Sequence, residues 1–154
     1  MKTILIAIDY NPSAEKIAET GYALAKGMDA KVVLLHVMAD VAYYSASQFS
    51  PIMGFNNFNP TNALLPETIN DMRRGVEEFL SHTREHLGDA GIETIVKDGD
   101  TADTIISTAV EKGADTIVLG SHSRRGLEKI LMGSVSEKVL HHSKIPLFII
   151  PTRE

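Results

Sequence analysis

The 154-residue chain contains no cysteine and no tryptophan. The first absence removes disulfides, thiolate catalysis, thiolate metal ligation and thiol redox sensing together. Long apolar runs are missing as well. The N-terminus offers one lysine, Lys2, and five consecutive apolar residues, 4–8, before Asp9, which is too short for a signal peptide or a spanning helix. A cytoplasmic address is the resulting expectation. Basic charge is in deficit, with 15 Lys and Arg against 20 Asp and Glu and a net charge of −5. That balance argues against a nucleic-acid partner and against attraction to anionic membrane, so any phosphate must be held by local geometry. Familiar enzyme signatures are also wanting: there is no G-x4-G-K-[ST], no G-x-G-x-x-G, no H-E-x-x-H and no G-x-S-x-G. Asp9 is followed by Tyr10, not by the second acid that a phosphoacceptor receiver domain needs for its metal.

What the chain does have is apolar material cut into short pieces. With 44% hydrophobic residues it can bury a sizeable core as a single domain spanning 1–154. Residues 4–8 are continuously apolar and rich in β-branched isoleucine, the pattern of a strand buried on both faces of a parallel sheet. Asn11-Pro12 then offers a cap and a first-turn proline, and Ala14, Ile17, Ala18, Gly21, Leu24, Ala25 and Met28 recur at helical spacing to about Gly27. Residues 31–37 predict a second strand, completing a β-α-β unit whose crossover should be right-handed. Ile69, Met72, Val76, Phe79, Leu80, Thr83 and Leu87 mark an amphipathic helix over 67–87 closed by Gly88. Residues 92–96 predict a third strand and 97–100 a turn. Thr101 is the expected N-cap of a helix with Ala102, Ile105, Ile106, Ala109 and Val110 on one face and Gly113 at its end. Residues 116–119, Ser134–His142 and Leu147–Ile150 complete the series as strand, helix and strand. Alternation of this kind means a doubly wound α/β sheet.

One segment breaks the rhythm. Residues 39–66 show no sustained period, yet hold Tyr43, Tyr44, Phe49, Phe55 and Phe58, five of the nine aromatic residues given by four Tyr and five Phe. An irregular insertion this long is either a lid or contact surface, or a partly disordered stretch, and the two readings stand level.

The chemistry concentrates in residues 120–137. A buried strand ending in Gly120 leaves backbone N–H groups at the sheet edge, where a glycine admits close approach. Gly133-Ser134 then opens a helix, and Ser134 with Glu137 has the S-x-x-E spacing of a capping box. Unpaired donors and the helix dipole suit phosphate at such a start. Arg124, Arg125 and Lys129 lie between the two glycines and add local positive charge.

The string resembles the G-x2-G-x9-G-[ST] nucleotide-binding signature of the universal stress protein family. Gly120 stands first, nine residues run from Arg124 to Met132, and Gly133-Ser134 follow; Ser123 stands where the family's second glycine usually does. The likeness extends over essentially the whole chain, through the first strand ending in Asp9, L-L-H-V at 34–37, D-T-I-V-L-G-S-H at 115–122 and K-I-P-L-F-I-I at 144–150. It implies a five-stranded parallel sheet in the order 3-2-1-4-5 with helices on both faces. It also implies a crevice between strands one and four, and a ligand that many members bind and others do not: ATP, with any Mg2+ held mainly through the phosphates.

The site residues carried over on this likeness are Ala7, Ile8, Asp9, Val37, Leu119, Gly120, Ser121, His122, Ser123, Arg124, Gly133, Ser134, Val135 and Ser136. Asp9 would meet a ribose hydroxyl or a hydrated cation, the alternative being a cap on the following helix. Ala7 and Val37 would line the adenine, or are ordinary core. The hydroxyls of Ser134 and Ser136 would supplement the backbone donors. His36 and His122, at strand ends, are favoured as histidines satisfied by backbone groups. His82 and His86 share a helix face at i, i+4 spacing but lack an evident third metal ligand, so a solvated face is favoured. His141 and His142 close a helix, where positive charge complements the dipole.

The functional expectation is an adenine-nucleotide-binding stress-response protein acting as a nucleotide-dependent regulator. It is set against a dimeric interaction module with an empty pocket, and against a slow ATPase for which only Asp9 and, more remotely, Asp100 offer a carboxylate. A homodimer through Leu147–Ile150 is expected, because an apolar edge strand otherwise leaves backbone groups unpaired. A further protein partner cannot be named from the sequence.

Overall fold

The computed structural model describes residues 1–9, 13–39, 66–121 and 132–152. Strand β1 (Thr3–Ala7) leads to α1 (Ala14–Gly27), β2 (Lys31–Met38), α2 (Pro66–Leu87), β3 (Glu93–Asp98), α3 (Thr101–Glu111), β4 (Thr116–Gly120), α4 (Ser134–His142) and β5 (Leu147–Ile150). All neighbouring strands pair in parallel, in the order β3-β2-β1-β4-β5. This is the expected doubly wound single-sheet fold. The insertion at 39–66 and its aromatic residues fall almost wholly outside the described residues, as do Asn11 and Pro12.

The continuous apolar runs act as their composition predicts. Ile4, Leu5 and Ile6 are completely buried because helices cover both faces of the central strand. Ile4, Ile6 and Ile8 face one core with Ile17 and Ala25 of α1 and Leu80 of α2. Leu5, Val33, Leu35, Val37, Ile117 and Leu119 face the other, with Ala102, Ile105 and Ala109 of α3 and Val139 of α4. A third, smaller group joins Met38 at the end of β2 to Met72 and Val76 of α2. Close approach of α1 to the sheet requires Gly21, where a Cβ would stand 2.8 Å from Ile6 Cδ1.

The structure corrects four local expectations. Helix α1 takes Ser13 as its N-cap and begins at Ala14, so Asn11 is not its cap and Pro12 is not in its first turn. The third strand reaches Asp98, since Lys97 and Asp98 pair in register with Val37 and Met38. Their polarity suits an edge strand, and Lys97 finds Glu111 while Asp98 finds Arg73. The N-cap of α3 is Asp100, not Thr101; its carboxylate accepts from Asp103 N–H at 3.0 Å. At α4 the N-cap is Gly133 and Ser134 is already helical, which removes the S-x-x-E capping box: the N-cap residue brings no side chain to this helix start. Other endings are as expected, with Gly88 and Gly113 in the left-handed region at φ 72° and 63°.

Candidate functional site

The helices on the two faces divide by chain order. Helices α1 and α2 pack against the first core and α3 and α4 against the second, so the winding reverses between β1 and β4. Ligands of open α/β sheets sit beyond the carboxyl ends of the strands at such a reversal. Here β1 runs out through Ile8 into half-exposed Asp9, and β4 through Gly120 into Ser121.

The end of β1 is held in place by its neighbour. Ile8 N–H donates to Leu35 C=O at 2.9 Å, and buried His36 donates from Nδ1 to Ile8 C=O at 2.9 Å. A carbonyl can only accept, so this bond selects the Nδ1–H tautomer. Burial pushes the His36 pKa below its ordinary 6.5, with the bond to Ile8 opposing in part, and the ring is neutral at pH 7. Through Nδ1, His36 makes the backbone contact expected from its position. Ile8 itself is 4% exposed and spends its side chain in the core under α1. Ala7, Val37 and Leu119 share the opposite face, among residues packed on α3 and α4.

The two ends of the 120–137 motif are stitched at their base. Gly133 N–H donates to Ser121 C=O at 2.5 Å, and the Ser136 hydroxyl donates to Gly120 C=O at 2.6 Å. Twelve residues apart in sequence, Ser121 and Gly133 are thereby adjacent. Ser136 is buried and its proton is committed, so it fastens the helix to the strand and is not an available donor. Ser134 is exposed in the first turn, and Val135 packs partly against the core. Ser121 is anchored from the other side: its N–H donates to Ile150 C=O at 2.9 Å and its hydroxyl accepts from Thr152 N–H at 3.1 Å. His122, Ser123 and Arg124 lie outside the described residues.

Gly120 owes its identity to packing. A Cβ there would fall 2.5 Å from Ile17 Cδ1 and 2.9 Å from Thr152 Cγ2. The space above it is thus filled by Ile17 of α1 and by Thr152 after β5, a packing reason for glycine that stands beside the ligand one. Gly133 has φ −73° and ψ 163°, a conformation open to any residue. Asp100, considered as a remote carboxylate for the crevice, instead joins α3 to α4 through Lys138 Nζ at 3.0 Å. Thr152 and the stapling role of Ser136 escaped the sequence reading, because neither lies in a periodic pattern.

These features define a doubly wound α/β protein whose winding reverses between β1 and β4, with the glycine-capped start of α4 beside the end of β4. The chain matches the Universal stress protein family over residues 1–151 and belongs to it. Universal stress protein YxiE of Bacillus subtilis is 30% identical over 149 residues, covering 96% of this chain and 97% of that protein. MJ0577 of Methanocaldococcus jannaschii is 27% identical over 152 residues, covering 97% and 94%; its solved structure superposes with a TM-score of 0.75, covering 99% and 97% of the two chains. A universal stress protein solved in complex with cAMP shares the fold, with a TM-score of 0.60 at 18% identity over 97% of this chain and 95% of that one. Among the described residues no helix is long and apolar enough to cross a membrane.

Proposed function

We propose that the protein binds an adenine nucleotide, ATP in the first instance, at the β1/β4 crevice and acts in the cytoplasm as a nucleotide-dependent regulator of the stress response. The observation that carries this reading is the placement of a helix start whose N-cap is a glycine beside the winding reversal. The first intrahelical bond of α4 is accepted by Gly133 C=O from Glu137, so the amides of Ser134, Val135 and Ser136 precede the hydrogen-bonded ladder. With the Gly133 amide committed to Ser121, these three are the donors suited to phosphate. In this reading Asp9 accepts from a ribose hydroxyl and Ala7 and Val37 lie on the side of the base. The fold neighbour in complex with cAMP supports an adenine nucleotide as the ligand class. Any Mg2+ would be held mainly by the phosphates. A homodimer through β5 belongs to the same proposal: β5 is an outer strand of the sheet and its Phe148 is 38% exposed.

The test is direct. Protein freshly purified and then denatured should release adenine nucleotide identifiable by mass spectrometry, and nucleotide-free protein should bind ATP in titration calorimetry. Gly133→Val keeps an allowed backbone but adds a branched side chain beside the phosphate donors. It should weaken ATP by at least about tenfold, equivalent to roughly 1.4 kcal/mol. Parent-like affinity in a folded Gly133→Val protein places the nucleotide elsewhere. No ATP binding by the parent transfers the reading to a dimeric interaction module.

A further inference from the structure

Away from the crevice, three ligating side chains converge between α1 and α2. Glu15 and Glu19 are four residues apart and so share one face of α1. His86, in the last turn of α2, turns its Nε2 toward both, 2.7 Å from Glu19 Oε1 and 3.3 Å from Glu15 Oε1. One ligand atom from each lies within 4.8 Å of the others. His82 does not take part: its Nδ1 lies 3.7 Å from Glu85 Oε2 on its own helix. The third ligand missing from the i, i+4 histidine pair is therefore supplied from another helix, and to His86 alone.

We propose that Glu15, Glu19 and His86 form a binding site for a borderline divalent cation of the Zn2+ or Co2+ type. Zinc sits about 2.0–2.2 Å from imidazole nitrogen and carboxylate oxygen, so two ligands at a tetrahedral centre stand about 3.3–3.5 Å apart. The His86–Glu15 separation has this value already, and the His86–Glu19 pair needs to open by well under 1 Å, a side-chain adjustment. One imidazole with two carboxylates suits these metals better than Ca2+ or Mg2+, which favour all-oxygen shells. The frame behind the ligands is firm. Tyr22 of α1 and Phe79 and Leu87 of α2 pack on the common core, and Tyr22 Oη–H donates to Asp89 at 3.1 Å. All three ligands are exposed, which leaves the remaining coordination position to water or to a group from a partner.

Metal and proton compete here. The Glu19 hydrogen bond, followed by the charges of Glu15 and Glu19, raises the His86 pKa above its ordinary 6.5. A ligating imidazole nitrogen carries no proton, so zinc affinity should fall as pH is lowered. Titrating nucleotide-free, full-length protein with ZnCl2 in two buffers of different ionisation enthalpy should show one saturable site with proton release. CoCl2 should give the visible absorption of a low-coordinate nitrogen and oxygen site. His86→Gln and Glu19→Gln should each weaken binding at least about tenfold, the lower end of what loss of even an outer partner of a ligand costs, whereas His82→Gln should not. Circular dichroism establishes that each variant is folded, and Glu15→Gln supplies a third probe should His86→Gln fail that check. Absence of saturable binding by the parent, or parent-like binding by both His86→Gln and Glu19→Gln, overturns the proposal. ATP affinity is read separately, so failure here leaves the crevice reading untouched.

Discussion

Replacing Gly120 by alanine separates two explanations of one glycine. If the residue serves ligand approach, Gly120→Ala should lower nucleotide affinity and leave stability almost unchanged. The packing predicts the reverse emphasis. Apolar carbons rest at about 3.5–4.0 Å, and the new Cβ would stand 2.5 Å from Ile17 Cδ1 and 2.9 Å from Thr152 Cγ2. Ile17 is 4% exposed and has little room to yield. Overpacking of this kind costs about 1–3 kcal/mol. Gly120 is not among the positive-φ glycines, so alanine returns roughly 0.4–1 kcal/mol by restricting the unfolded chain. Taking the middle of each range, a net loss of about 1.3 kcal/mol remains, which at 2–4 °C per kcal/mol for a chain of this size lowers Tm by roughly 3–5 °C.

Ile17→Val removes the offending Cδ1 and by itself should cost about 0.5–1.5 kcal/mol. In the double variant the two losses should overlap by roughly 1 kcal/mol, because the clash is relieved by the atom that is deleted. Urea and thermal denaturation of the four proteins, followed by circular dichroism, measure the cycle, and ATP calorimetry on the same samples reads the ligand effect. Additive losses, or a Gly120→Ala protein as stable as the parent, would refute the packing argument.

Asp100→Ala should cost about 0.5–2 kcal/mol through loss of the α3 cap, with little from the exposed Lys138 pair. The Asp103 amide bond, then Lys138, hold the Asp100 pKa below its ordinary 3.8. Its contribution is therefore full above that value and drains away as pH falls below it, so urea midpoints of parent and variant should converge in strong acid and differ at pH 7. Phe148→Asp places a charge on the exposed side of β5. In sedimentation equilibrium it should shift the protein toward the 16.8 kDa monomer, while a parent that is already monomeric at micromolar concentration removes the β5 dimer.

How much was legible in advance depended on how local the deciding interaction is. Residues 4–8 and 32–35 declared buried strands by unbroken apolar character, and the face of α2 by its spacing, since period is a property of neighbouring residues. Gly88 and Gly113 marked helix ends because only the local backbone decides a left-handed residue. The strand order, implied by family likeness before any coordinates, is the order found.

At the site the sequence determined which residues assemble, Gly120, Ser121, Gly133 and Ser136 among them, but not what each would do. Ser136 was read as a free hydroxyl and is a strap on Gly120 C=O; Ser134 was read as a cap and stands inside the helix. Gly120 is also crowded by Ile17, which comes from a distant helix. Likewise Glu19 and His86, 67 residues apart, have no spacing that announces their meeting. Composition and period determine which segments become strands and helices, because those signals act over a few residues. Which donors are spent, which glycine is crowded and which side chains share a site are decided only when the elements pack, because each depends on an atom brought in from a distant part of the chain.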